Sequence, residues 1–217
     1  MNFEQARFNM VEQQIRPWEV LDQDVLDLLY VVPREEFAPE ACRTLAFSDM
    51  EIPIGEGETM WPPKIEARAL QELAVRKADR VLEVGTGSGY LTALLAHRAG
   101  HVFSVEIKPA LAAFGRRNLE RHGVDNVTLE QGDAARGWVA HAAYDVIVLT
   151  GSTPVLPEAF LAQLAPGGRL FAVVGEAPIM TARLITCVAP GAYRSVDAFE
   201  TVLAPLVNAQ QPPRFRF

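Results

Sequence analysis

Residues 80–90 read Arg-Val-Leu-Glu-Val-Gly-Thr-Gly-Ser-Gly-Tyr, a β-type run that enters three glycines at alternate positions. A helical run follows directly, with Leu91, Leu94 and Leu95 on one face. Few local patterns constrain a chain more. The glycines permit a tight turn and a close approach of a ligand to the backbone beside a helix N-terminus. A strand, a glycine turn and a helix in that order make the first half of a βαβ unit, and that unit requires a parallel sheet.

The residues beyond it keep the alternation. Strands are expected at 101–105, 126–129, 144–149 and 169–174. Pro109 suits the first turn of a helix carrying Leu111 and Phe114, and Gly123 suits its end. Residues 157–164 make a further helix, and Gly167-Gly168 turns the chain. The runs around 183–188 and 199–203 have no long helix between them, so they are expected to be antiparallel at the sheet edge. The tail, 208–217, has little periodicity, and order is not expected there.

The first 75 residues are different in character. Phe3, Met10, Val11 and Gln14 share an amphipathic stretch, Asp22 suits an N-cap for a helix bearing Val25, Leu28 and Leu29, and Pro33 stops that helix. Residues 48–63 hold Gly55, Gly57, Pro53, Pro62 and Pro63, which reads as a long loop. A loop of that length inside a compact domain points to function. The expected division is 1–75 as an N-terminal helical and acceptor-loop part, 76–207 as an α/β core and 208–217 as a tail, all within one overall domain.

Composition narrows the function classes. The 217 residues fit one domain, and 20 Lys+Arg against 27 Asp+Glu give a net charge of −7, which offers no general attraction to phosphate backbones or anionic membranes. Nucleic acid and membrane partners are not expected. The two cysteines, Cys42 and Cys187, lack metal-ligand spacing, so no metal site is expected. No run is long and apolar enough to span a bilayer, and the first residues lack the order of a signal peptide. The expectation is a cytoplasmic protein with reduced thiols.

The glycine spacing selects the ligand. A dinucleotide fingerprint, G-x-G-x-x-G, would place glycine at Tyr90, and a pyrophosphate would be repelled by Glu83. S-adenosyl-L-methionine has no phosphate and carries a sulfonium and an ammonium, so Glu83 becomes an attraction. The second strand runs into Glu106, placed to accept from both ribose hydroxyls. The third runs into Gly132-Asp133, whose carboxylate can accept from an adenine amino group. The four histidines, His97, His101, His122 and His141, fall on or beside helices and strands away from these loop ends, so no general base is evident.

With these motifs in place, the chain resembles the protein-L-isoaspartate O-methyltransferase family over nearly its whole length. Val32-Pro33-Arg34 with Phe37 is similar to that family's Val-Pro-Arg-x-x-Phe, and Asp49, Ile52-Pro53-Ile54-Gly55 and Thr59 to its Asp-x-x-Leu-Pro-Ile-Gly-x-x-x-Thr. Residues 81–90 match its glycine motif almost residue for residue. Gly132-Asp133, Asp145-Val146-Ile147, Pro157, Gln163-Leu164 and Gly167-Gly168-Arg169-Leu170 follow in the family's order, and Leu203-Ala204-Pro205-Leu206 resembles its C-terminal Phe-Val-Pro-Leu.

The resemblance implies a class I S-adenosylmethionine methyltransferase (Rossmann-like) fold, with a central, mostly parallel sheet flanked by helices. It implies S-adenosyl-L-methionine as donor, S-adenosyl-L-homocysteine as product, and a peptide or protein carrying isoaspartate as partner. The donor contacts it implies are Glu83, Gly85, Thr86, Gly87, Ser88, Gly89, Glu106, Ile107, Gly132, Asp133 and Ala134. At the acceptor end it implies Thr59 and Trp61, with Ile54, Met60, Ser152 and Thr153 touching substrate.

The chain departs from the family at that acceptor end. The family segment Thr-Ile-Ser-x-Pro reads Thr59-Met60-Trp61-Pro62-Pro63, so an indole stands in the place of a serine hydroxyl. Either Ser152 or Thr153 supplies the missing hydroxyl and isoaspartyl methylation is retained, or the fold serves another carboxylate or other acceptor, or the chain binds the donor without catalysis.

Overall fold

The computed structural model describes residues 1–213; the end of the expected tail, 214–217, lies outside the described residues. Seven strands form the central sheet in the order β5-β4-β3-β6-β7-β8-β9. These are β3 (Arg80–Val84), β4 (His101–Glu106), β5 (Val127–Gln131), β6 (Tyr144–Leu149), β7 (Leu164–Glu176), β8 (Ile179–Ala189) and β9 (Ala192–Glu200). β5, β4, β3, β6 and β7 are parallel, whereas β8 and β9 join antiparallel at the edge. The helices between them are α5 (Tyr90–Arg98), α6 (Pro109–Arg121) and α7 (Glu158–Ala162).

β3 is covered on both faces, which is why four of its five residues are buried and its sequence is an unbroken run rather than an alternation. One face packs Val81, Val102, Val146 and Phe171 into a cluster that continues through Leu94, Leu70 and Ile65 to Met10, Val11 and Ile15 near the N-terminus. The other packs Leu82, Ile147, Tyr144, Phe160 and Leu170. Each large apolar side chain so buried contributes about 1.5–3 kcal/mol. Strand order reverses between β3 and β6, and the carboxyl ends of these strands open onto a crevice at that switch point.

The N-terminal residues build the wall opposite. Helix α1 (Phe3–Met10) runs into a π-helical turn at Val11–Ile15. Helix α2 (Gln23–Val31) begins where the Asp22 carboxylate accepts from the backbone N–H groups of Asp24 and Val25 at 2.9 and 3.3 Å. It stops two residues before Pro33, whose ring fixes the preceding backbone as extended. The short helix α3 (Arg34–Phe37) follows. Helix α4 (Pro63–Leu73) starts on a proline at its first position, where the missing N–H costs nothing.

The expected long loop at 48–63 contains a hairpin instead. Strand β1 (Ile52–Gly55) pairs antiparallel with β2 (Glu58–Met60), with Ile52 opposite Met60 and Pro53 opposite Thr59. Gly55, Glu56 and Gly57 turn between them at φ +97°, +55° and +79°, which two glycines make accessible. Ile52 and Ile54 alternate inward, so the two-residue period was present but masked by its proline. The C-terminal edge also differs from expectation. Its last strand lies at Ala192–Glu200, not 199–203, because Pro190-Gly191 turns the chain into a hairpin whose outer strand is mostly exposed.

Candidate active site

The crevice holds about 1000 Å³ of space, part of it open to solvent. Its floor is the β3–α5 turn. Gly85 has φ +99°, and a Cβ there would lie 2.1 Å from Thr150 Oγ1. That hydroxyl is held between the carbonyls of Val84 and Gly85, at 2.8 and 2.9 Å. Gly87 has φ +53°, and its Cβ would meet Ile54 Cδ1 at 3.2 Å, so the β1–β2 hairpin rests on the glycine turn. Gly89 does something else. It opens α5 at φ +82° and faces Gly115 and Leu119 of α6, outside the crevice lining. In this fold the third glycine lets α5 and α6 pack closely.

Three acidic side chains stand at the ends of β3, β4 and β5. Glu106 is 5% exposed, and its two oxygens accept from the backbone N–H groups of Gly87 at 2.9 Å and Lys108 at 3.0 Å. Asp133 accepts from the N–H of Ala135 at 3.0 Å through Oδ1. Glu83 is fully buried; its Oε2 accepts from Thr92 Oγ1 at 2.5 Å and Ser104 Oγ at 2.6 Å, while Oε1 has no partner. Burial pushes the Glu83 carboxyl up to about 8, against the pull of the Ser104 and Thr92 hydroxyls and with a smaller push from Glu106.

The acceptor end is built by the hairpin and the start of α4. Ile54, Thr59, Met60 and Trp61 all line the crevice. Trp61 is 7% exposed and tilts against Phe171 with ring centroids 6.5 Å apart. Its carbonyl accepts from Arg34 Nη2. The same guanidinium donates to Ala46 O at 2.6 Å and to Glu66 Oε2 at 2.8 Å, and lies over the Tyr90 ring. Glu66 also lines the crevice; burial raises its pKa, and Arg34 opposes that. Lys108 clamps the hairpin onto the donor side, donating to Glu56 O at 2.6 Å and to the Glu58 carboxylate.

Thr86, Ser88, Ile107, Gly132 and Ala134 line the crevice beside the acids, as their sequence positions require. Ser152 and Thr153 are not among the residues that line it. Both are buried, donating to Leu203 O at 2.8 Å and Val155 O at 2.6 Å, where the chain beyond β6 bridges Pro205 of the C-terminal segment through Ser152 and Val174 of β7 through Thr153. Thr150, Glu66, Lys108, Leu206 and Val207 line the crevice without having been singled out from sequence. Only Leu206 stood in a recognisable motif. None of the four histidines lines the crevice, and the described residues hold no cluster of metal-ligating side chains.

A mostly parallel sheet in this order, with a glycine turn at its switch point and acids at three successive strand ends, defines the class I methyltransferase fold. The family profile described as Protein-L-isoaspartate(D-aspartate) O-methyltransferase matches residues 5–211, and the chain belongs to that family. A protein-L-isoaspartate O-methyltransferase of Methanoculleus marisnigri is 44% identical over 169 residues, 78% of this chain and 77% of that protein. Protein-L-isoaspartate O-methyltransferase 2 of Pelobacter propionicus is 39% identical over 211 residues, covering 96% and 93%. Among solved structures, a Plasmodium falciparum protein described as a protein-L-isoaspartate O-methyltransferase, in complex with S-adenosyl-L-homocysteine, superposes with a TM-score of 0.80 at 22% identity over 95% of this chain and 99% of that one.

Proposed function

We propose that this chain transfers the methyl group of S-adenosyl-L-methionine to the carboxylate of isoaspartyl residues in damaged peptides and proteins, a repair reaction of the family to which it belongs. The observation that carries the donor assignment is Glu83 Oε1, a buried polar atom without a partner in the wall of the crevice. It suits the ammonium end of the donor; the lone pairs of Glu106 left free by Gly87 and Lys108 suit ribose hydroxyls; Asp133 suits the adenine amino group. Residues 76–207 supply these contacts, and 1–75 shape the acceptor end.

The donor, when bound, supplies an electrophilic methyl on a sulfonium and leaves as a neutral thioether. A carboxylate acceptor is already an anion at neutral pH, so the chain need not provide a base, in keeping with the absence of histidine from the lining. What its residues must do is align and exclude water. Ile54 seated on Gly87, and Lys108 bound to Glu56 and Glu58, hold the hairpin against the donor side for that purpose. The free thiols Cys42 and Cys187 and the lack, among the described residues, of any helix able to cross a membrane fit a cytoplasmic setting, which is part of the same proposal.

Trp61 supports a second reading, the same fold with a different acceptor. The indole occupies the wall where the family carries a serine, and neither neighbouring hydroxyl turns in to replace it. Transfer of labelled methyl to an isoaspartyl peptide, with the aspartyl peptide as control and base-labile methanol as readout, decides between them. Transfer to the isoaspartyl peptide alone is expected. Silence from a protein that binds S-adenosyl-L-homocysteine would overturn isoaspartyl methylation and leave another acceptor, or donor binding without catalysis.

A further inference from the structure

After β9 the chain returns to the crevice and crosses its rim. Ser152 pins it there. The Ser152 N–H donates to Ala204 O at 2.9 Å, its carbonyl accepts from the Leu206 N–H at 2.9 Å, and its hydroxyl donates to Leu203 O. Leu206 and Val207 then line the crevice wall. A turn closed by the Ala209 N–H on Leu206 O at 3.0 Å places Asn208 at φ +62°, a conformation asparagine tolerates better than most residues. Its side chain is exposed beside the crevice, and Nδ2 donates to Asp133 Oδ2 at 2.8 Å. A carboxylate only accepts, so the group turned toward it is the amide NH₂.

Asp133 is thereby held at both oxygens, by Ala135 N on one and by Asn208 on the other. We propose that Asn208 is a positioning residue for adenine recognition: it fixes the Asp133 carboxylate so that its remaining lone pairs meet the exocyclic amino group of the donor's base. The proposal rests on the donor assignment above. Without Asn208, the Asp133 side chain must lose its rotational freedom when the donor binds, and part of the binding free energy is spent on ordering it. A further consequence is selectivity. A base that presents a carbonyl in place of the amino group gains nothing from a carboxylate aimed at that position.

Calorimetric titration of the full chain with S-adenosyl-L-homocysteine and with S-inosyl-L-homocysteine tests this. Asn208→Gly is the variant of choice, since glycine keeps the left-handed backbone and removes only the amide. It is expected to weaken the adenosyl ligand about three- to tenfold, the scale of one hydrogen bond, and the inosyl ligand less than about twofold. In an Asp133→Asn background the same substitution is expected to add no further loss. An equal loss for both ligands would reduce Asn208 to a structural strut and overturn the proposal. So would tighter binding, which would make the contact a latch that the donor displaces, unchanged affinity, or a loss that persists undiminished in the Asp133→Asn background. A folded wild-type chain that binds neither ligand would overturn the donor assignment itself, and that result is distinguishable from all the others.

Discussion

The Gly87 N–H donates to Glu106 Oε2 at 2.9 Å, so the glycine turn after one strand and the acid at the end of its neighbour form a single structure. The turn does not merely make room for a ligand. It orients the carboxylate, and the Lys108 N–H on Oε1 completes the cradle. Replacing Glu106 by Ala is expected to weaken S-adenosyl-L-homocysteine binding by about 1.5–3 kcal/mol, the value of a charge-assisted hydrogen bond. Equilibrium titration measures it. Glu106→Gln is expected to fall between the two, since one of its oxygens becomes a donor that faces the backbone N–H groups.

Gly85 combines a left-handed backbone with a neighbour at 2.1 Å from its would-be Cβ. Gly85→Ala is expected to lower stability by about 1–3 kcal/mol through strain alone, with the Thr150 clash in addition. The clash is with a hydroxyl, so Gly85→Ala/Thr150→Ala should recover part of the loss and leave the strain. Denaturant midpoints of the single and double variants separate the two contributions.

The Arg34–Glu66 pair is buried at both ends, with side chains 1% and 4% exposed. Breaking such a pair from one side strands a charge, at about 3–5 kcal/mol. Arg34→Met is therefore expected to be strongly destabilising and to release the Trp61 and Ala46 carbonyls that the guanidinium satisfies. Arg34→Met/Glu66→Gln should restore stability in part, because the stranded carboxylate is gone. Methyl transfer should remain impaired in the double variant, since the acceptor segment has lost its anchor.

Glu83 titrates in the fold near 8 against an ordinary value of 4.5. The folded chain thus binds this proton more tightly than the unfolded chain does. Its contribution to stability is full below about pH 4.5 and declines as pH rises toward 8, over a span on the order of 5 kcal/mol. Glu83→Gln, which cannot ionise, is expected to flatten that part of the stability profile. A cationic ligand beside Glu83 favours the charged carboxylate, so donor binding at pH 7 should release up to about one proton. Calorimetry in two buffers of different ionisation enthalpy detects the release, and Glu83→Gln should abolish it while weakening the donor.

Trp61→Ser probes the acceptor wall, but the indole is also core, packed on Phe171. Its removal is expected to cost about 3–5 kcal/mol of stability. Transfer to an isoaspartyl peptide should therefore be compared at low temperature, with Trp61→Phe as the variant that keeps most of the packing. Activity that rises in the serine variant and not in Trp61→Ala, which opens the same space without a hydroxyl, would assign the effect to the hydroxyl.

Much of this protein is local, and what is local was legible in the sequence. The β3 run, the glycine turn, the Asp22 cap, the proline start of α6 and the acids at three strand ends depend on residues within a few positions of one another, so propensity and spacing suffice to find them. The hairpin at 52–60 was also local, yet a proline in its first strand hid a two-residue period that Ile52 and Ile54 still carry.

The rest depends on contacts between distant parts of the chain. Nothing in the sequence around Arg34 says that it will be buried against Glu66, 32 residues on, or that its guanidinium will hold the Trp61 carbonyl. Nothing around Asn208 says that it will meet Asp133, 75 residues earlier. Ser152 and Thr153 look like candidates for a missing hydroxyl by position, but burial obliges each to pair with a carbonyl, and the nearest ones lie away from the crevice. The sequence by itself determined the sheet, the glycine turn and the set of acids, because strand ends converge wherever parallel strands lie side by side. Which oxygen of each acid is left free, and what closes over it, only the tertiary structure decided, since those depend on which backbone N–H groups and side chains folding brings within hydrogen-bond reach.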